Sequence, residues 1–175
     1  MQDILVVVDM QNDFVDGVLG SKEAQAIVPK VVEKIQNFSG TVLFTRDTHE
    51  EDYMQTQEGK YLPVPHCIHN TQGWQLCPAV EQLRRTEPLD KVTFGSRQLG
   101  ELLCRMDLQE AINSVTLIGL CTDICVISNA FLVKSFLPEV TVTVDASCCA
   151  GVTPESHQTA LNAMRACQIQ IENDK

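Results

Sequence analysis

The 175-residue sequence predicts an α/β fold, with a doubly wound, mainly parallel sheet of about six strands and helices on both faces. Three observations carry this expectation. Short β-branched runs alternate with segments of helical period, as a chain of βαβ units requires. The first run, Ile4-Leu5-Val6-Val7-Val8, is apolar at odd and even positions alike, the pattern of a central parallel strand covered on both faces. A hydrophobic content of 44% over this length fills one core, so a single domain over 1–175 is expected.

The elements follow in order. After the strand at Ile4–Val8, Pro29 at a first helical position leads Val31, Val32, Ile35 and Phe38. Thr41-Val42-Leu43-Phe44-Thr45 is the second strand. Residues 47–88 are rich in His, Pro, Gly, Thr and Gln, with one short helix expected near Ala79–Arg84; a long irregular stretch in a compact domain is more often functional than idle. Ser96 caps a helix carrying Leu99, Leu102, Leu103 and Met106, and Asp107 with Glu110 has capping-box spacing for another. Val115-Thr116-Leu117-Ile118 and Val140-Thr141-Val142-Thr143-Val144 are strands. Thr153-Pro154-Glu155 opens a last helix, and Gln168-Ile169-Gln170-Ile171 is a weaker, edge candidate.

Composition removes some functions. A net charge of −10 opposes phosphate backbones and anionic lipid, so neither nucleic acid nor membrane is an expected partner. No window approaches the roughly 18 consecutive apolar residues of a membrane span. The start MQDILVVVDMQNDF has no basic n-region and no small-residue cleavage site, which places the eight cysteines in a reducing, cytoplasmic setting.

Ligands of open α/β sheets bind at the carboxyl ends of strands, where the winding reverses. Asp9 ends the first strand, and Gly119-Leu120-Cys121-Thr122-Asp123-Ile124-Cys125-Val126 follows another. With Thr122 as N-cap, Cys125 falls in the first helical turn, where the unpaired N–H groups and dipole favour a thiolate, and Cys121 precedes it. The residues alone leave Cys125 open between a nucleophile and a buried, inert thiol. The pair is not spaced as Cys-x-x-Cys, which weakens a redox-sensor reading. By type alone Lys91 is a solvated surface lysine. Asp47-x-His49 with His66 could bind a divalent metal through one carboxylate and two imidazoles; hydrogen bonding in a polar loop is the alternative. His69 and His157 have no comparable partners and read as surface residues.

Asp9-Met10-Gln11-Asn12-Asp13-Phe14, Lys91 with Phe94 and Ser96, and the 119–126 segment together resemble the isochorismatase-like cysteine hydrolases, whose fold is Rossmann-like. Thr45-Arg46-Asp47-Thr48-His49 and Pro65-His66-Cys67-Ile68-His69-Asn70-Thr71-Gln72-Gly73 resemble the nicotinamidase branch. The resemblance implies a triad of Asp9, Lys91 and Cys125 and ammonia release from nicotinamide or a similar small carboxamide through a thioester. It also implies an oxyanion hole from the N–H groups of Cys121 and Cys125, a cis peptide before Cys121, and Lys91 favouring a thiolate. Asp47, His49 and His66 would hold a divalent metal, zinc first, with manganese or iron as alternatives; self-association is implied as well. The chain departs from the branch in two places. Leu62-Pro63-Val64-Pro65 stands where a Trp-Pro usually precedes the ligand histidine, which leaves Phe14 as the candidate aromatic wall for the substrate. Tyr53 replaces the serine or histidine four residues after the first ligand histidine. Alternatives are a same-fold hydrolase of a carbamoyl compound or an isochorismate-like vinyl ether, and a non-catalytic small-molecule binder or redox sensor.

Overall fold

A computed structural model describes residues 1–174. Six parallel strands form one sheet: β1 (Gln2–Val8), β2 (Thr41–Asp47), β3 (Leu89–Lys91), β4 (Ile112–Leu120), β5 (Thr141–Ala150) and β6 (Gln170–Glu172), in the order β3-β2-β1-β4-β5-β6. The helices are α1 (Asn12–Val15), α2 (Lys22–Asn37), α3 (Gln57–Tyr61), α4 (Pro78–Glu81), α5 (Arg97–Gln109), α6 (Ile127–Phe136) and α7 (Pro154–Ala166). The winding reverses between β1 and β4, so the crevice for a ligand opens above the carboxyl ends of those two strands.

The central strand shows why the sheet has two cores. Side chains alternate across a strand, and in β1 Ile4, Val6 and Val8 pack with Leu99, Leu103, Val126, Ala130, Leu161 and Met164 of α5, α7 and the α6 region. Leu5 and Val7 face the other way, onto Ala24, Ile27, Val31 and Ile35 of α2. All five residues are fully buried, each stabilising the fold by roughly 1.5–3 kcal/mol relative to exposure. Among the described residues no helix is long and apolar enough to cross a membrane.

Two expected elements are corrected and one strand is added. The helix holding Pro29 begins a full seven residues earlier, at Lys22, where the Ser21 side chain accepts from the Ala24 N–H. Pro29 therefore sits inside α2, because Ala24, Ile27, Val31 and Ile35 make one continuous buried stripe whose burial outweighs the missing hydrogen bond. Asp107 caps no new helix: it belongs to α5, and its Oδ1 accepts from the Ile112 N–H at 2.7 Å, turning the chain directly into β4. Strand β3 was not expected, since three residues are too few to show a strand period.

Asp145, buried in the middle of β5, accepts from Lys34 Nζ of α2 at 2.8 Å, from Ser147, and from Asn173 Nδ2 at 3.0 Å. Burial raises its pKa, but Lys34, Asn173 and Ser147 outweigh that and hold the carboxyl below its usual value. A carboxyl whose folded pKa lies below its unfolded value, about 3.9, stabilises above that pH, and the contribution vanishes as pH falls through the folded pKa. Asp145→Ala should cost about 1.5–3 kcal/mol in urea unfolding at pH 7 and progressively less below about pH 4. An equal cost at both pH values would show that the ion pair is not what holds this corner.

Candidate active site

Three strand ends and one turn converge. Asp9 follows β1 with φ at 48°, in the left-handed region that Asp tolerates better than most side chains. Its Oδ1 accepts from Thr45 Oγ1 at 2.7 Å, and its Oδ2 lies 2.7 Å from Lys91 Nζ. Oδ2 receives no well-directed hydrogen bond, and among the described residues it is the one buried side-chain polar atom of which that is true. Gly119, paired with Val8, has φ at 114°, and a Cβ there would collide with the Val8 carbonyl oxygen; only glycine lets β4 pass this close to the end of β1.

Lys91, at the end of β3, is 4% exposed, which corrects the surface reading from residue type. Its ammonium reaches Asp9 Oδ2, Asp47 Oδ1 at 3.1 Å, the Thr93 carbonyl at 3.1 Å and Cys125 Sγ at 3.4 Å. One cation thus joins the carboxylate after β1, the carboxylate ending β2 and the sulfur after β4.

Cys125 lies in a wide π turn, Thr122–Val126, in which the N–H groups of Val126 and Ile127 donate five residues back to the carbonyls of Cys121 and Thr122. Thr122 does not cap it; its hydroxyl is paired with His157 Nδ1 at 2.7 Å, so His157 is half-buried rather than a free surface residue. The peptide Leu120–Cys121 is cis. Two residues that sequence reasoning missed brace this region. Asn129, one helical turn after Cys125, donates to the Cys125 and Phe94 carbonyls and accepts from the Ser96 N–H, tying the cysteine turn to the chain after Lys91. Gln11 clamps the Asp47 peptide, donating to its carbonyl at 2.8 Å and accepting from its N–H at 2.7 Å.

The expected resting thiolate is corrected. Burial pushes the Cys125 thiol well above its ordinary pKa; Lys91 pulls it down, and Asp9 and Asp47 push it up again. Burial likewise raises Asp9, against the pull of Lys91 and with the push of Asp47. Burial and the neighbouring carboxylates thus favour the neutral thiol, while the same burial strengthens the hold of Asp9 on a proton and the carboxylates hold the charge on Lys91. Cys121 is pushed up to about 12, chiefly by burial and then by Asp123, which suits a backbone rather than a sulfur role.

Beside this cluster, ligand atoms of Asp47, His49, Glu58 and His66 all lie within 4.8 Å of one another. His49 Nε2 is 2.9 Å from Asp47 Oδ2 and 3.5 Å from Glu58, and His66 Nε2 is 3.6 Å from each carboxylate. His66 is delivered by a bridge in which His49 N–H donates to the Cys67 carbonyl and His69 N–H to the His49 carbonyl. Its Nδ1 faces the Val64 carbonyl at 2.8 Å; a carbonyl only accepts, so Nδ1 carries a proton, and the ring is held with Nε2 turned toward the group. Burial lowers the His49 pKa, yet hydrogen bonds to Asp47 and Glu58 outweigh it and raise it to about 9. Two carboxylates in a buried place require a positive partner, and two imidazole nitrogens with two carboxylate oxygens fit a divalent transition-metal ion. Glu58 was not singled out from sequence; it arrives on α3, nine residues after His49. Tyr53 is not in the group: its ring packs edge-on against His49 and its hydroxyl donates to the Leu62 carbonyl.

These groups open into a cavity of about 1000 Å³, whose wall includes Phe14, Leu120, Cys121, Ile124 and Cys125. Phe14 is tilted against His66 with ring centroids 5.5 Å apart, so the aromatic wall comes from α1. Trp74, unassigned by sequence, packs under the Arg46 guanidinium, its Nε1 donating to Thr48 in the segment that carries Asp47 and His49.

A family model for the isochorismatase domain matches residues 3–173. The chain is 25% identical to a nicotinamidase of Schizosaccharomyces pombe, over 98% of this chain and 93% of that protein. It is 30% identical to an isochorismatase family protein of Bacillus subtilis, over 93% of each. The crystal structure of a pyrazinamidase of Pyrococcus horikoshii in complex with zinc superposes with a TM-score of 0.80 at 27% identity, covering 98% of both chains.

Gln11→Leu removes both hydrogen bonds to the Asp47 peptide and one to the Trp74 carbonyl, leaving buried backbone groups unpaired at about 1–3 kcal/mol each. Urea unfolding should show that loss, and competition against a chromophoric chelator should show weaker zinc binding. Unchanged zinc affinity in a folded variant would mean that Asp47 keeps its place without the clamp.

Proposed function

The chain belongs to the isochorismatase domain family, and on that premise we propose that it is a cysteine-dependent amidohydrolase releasing ammonia from nicotinamide or a similar small carboxamide. The observation that carries the reading is the buried ammonium of Lys91, within reach of Asp9, Asp47 and Cys125 together. That arrangement supports one sequence of events. Cys125 sulfur attacks the carboxamide carbon while its proton passes to Asp9, whose Oδ2 is free to accept it. Lys91 stays protonated and offsets the charge moving between sulfur and carboxylate. The N–H groups of Cys121 and Cys125 are the proposed donors to the oxyanion, a contribution worth roughly 3–4 kcal/mol per donor. Asp9 then returns the proton to the departing nitrogen, ammonia leaves, and water cleaves the thioester to give the carboxylic acid and the free thiol.

Asp47, His49, His66 and Glu58 would hold the metal, with zinc, manganese and iron all compatible with such donors. When bound, a divalent ion offers a Lewis-acidic seat for a ring nitrogen or a water molecule. Asp47 then has two duties, its Oδ2 turned to the histidines and its Oδ1 to Lys91, so the substrate seat and the nucleophile are positioned by one side chain. A vinyl-ether dianion of the isochorismate type is disfavoured: no Lys or Arg stands among the described residues lining the cavity, and Lys91 is already committed to carboxylates.

Purified protein should release ammonia from nicotinamide, and Cys125→Ala should reduce turnover by about 10⁴-fold. Full turnover by that variant would remove the proposed nucleophile. Separately, Glu58→Gln should weaken zinc binding by about tenfold or more in chelator competition, while affinity equal to wild type would take Glu58 out of the ligand set.

A further inference from the structure

The cavity is larger than the proposed reaction needs. At about 1000 Å³ it stands at the upper end of the range for small-molecule sites, whereas a single-ring carboxamide fills only the space between Cys125 and the metal-binding group. Its outer part has a specific character. Among the described residues nine large apolar side chains are exposed, and five of them, Tyr61, Leu62, Val92, Phe94 and Val152, line this one cavity. They come from three separate stretches of chain: the end of α3, the segment after β3 and the turn after β5. Tyr61 is 85% and Val92 81% exposed, a placement that costs solubility unless something apolar covers them. The lining carries no Lys or Arg, and its two carboxylates, Asp47 and Glu58, both belong to the metal-binding group.

We propose that this outer apolar lobe binds an uncharged, apolar arm on the substrate, so that the preferred amide is a ring carboxamide bearing an alkyl or aryl substituent rather than the bare ring. The inference rests on the amidohydrolase reading and deepens it. The carboxamide lies at Cys125 and the ring against Phe14, while the arm runs outward between Val92, Phe94 and Tyr61 on its way to solvent. Burying that arm covers the exposed rim. A carboxylate-bearing arm finds no cation to meet it there, and an amide without an arm leaves the lobe wet.

The test uses metal-loaded enzyme and a ladder of nicotinamides carrying unbranched alkyl groups from methyl to hexyl, placed at each free ring carbon in turn. At one ring position kcat/KM should rise about threefold to fourfold per added methylene, the ratio corresponding to ~0.8 kcal/mol. In the double variant Val92→Asp, Val152→Asp that rise should flatten; the readout is each amide relative to nicotinamide in the same preparation, so a loss of folded protein cancels. A flat or falling ladder at every position, in enzyme that hydrolyses nicotinamide, overturns the arm and leaves the amidohydrolase reading standing. Absence of ammonia from every amide overturns that reading instead. Calorimetry on Cys125→Ala then decides the arm alone: tighter binding of the hexyl amide than of nicotinamide supports it, and equal or weaker binding overturns it. A dimer in solution that Val92→Asp abolishes, together with a flat ladder, would assign the rim to a second copy of this chain and also overturn the arm.

Discussion

A single buried ammonium organises the functional end of this molecule. Lys91 touches two carboxylates and a sulfur at the meeting point of three strand ends, with almost no solvent to screen it. Burying one such charge is costly unless partners surround it, and here each partner is equally in need of it. Without the cation, Asp9 would keep only the Thr45 hydroxyl and Asp47 only its histidine contacts, two buried carboxylates beside a thiol. With it, Asp9 Oδ2 has a cation 2.7 Å away, and Asp47 turns one oxygen to the ammonium and the other toward His49 and His66. Through Asp47, the proposed proton chemistry and the proposed substrate seat share one electrostatic unit.

The fold supplies the convergence. Parallel strands send their carboxyl ends to one edge of the sheet, and the reversal between β1 and β4 parts the chains that leave them. Close approach of these two strands depends on Gly119, and the functional residues are then fixed by neighbouring side chains: Gln11 on the Asp47 backbone, Asn129 on the Cys125 backbone, and Thr45 on the Asp9 carboxylate. None of these three touches the space where a substrate would lie. They act by giving partners to buried polar groups around the site, which lowers the energy of this geometry.

Much of this was legible in the sequence, unevenly. β1 could be read because burial on both faces leaves an unbroken apolar run, and the carboxyl end of that run pointed to Asp9. Asp9, Lys91, Cys125, Asp47, His49 and His66 stand in local patterns that a resemblance can match, and the structure brings all six to one cleft. Glu58, Asn129 and Gln11 could not be assigned roles in the same way, because their partners lie in other segments and their types are ordinary on a surface. Pro29 misled for a related reason: local preference places proline at a helix start, and the buried stripe that overrides it is a tertiary effect. The ionisation of Cys125 was misjudged by weighing the helix start and the lysine alone. Complete burial and two neighbouring carboxylates, visible only in three dimensions, oppose the thiolate.

The account turns on Lys91 being the shared counter-ion, and a double-mutant cycle in urea at pH 7 measures that directly. Lys91→Met leaves Asp9 buried without its counter-ion and takes one of the cationic partners from Asp47, and should cost about 3–5 kcal/mol. Adding Asp9→Asn removes one of those charges, so the double variant should be more stable than the two single losses predict, with a coupling energy of at least about 1 kcal/mol. Strictly additive losses, or a Lys91→Met protein as stable as wild type, would contradict a buried ammonium that holds Asp9, Asp47 and Cys125 together.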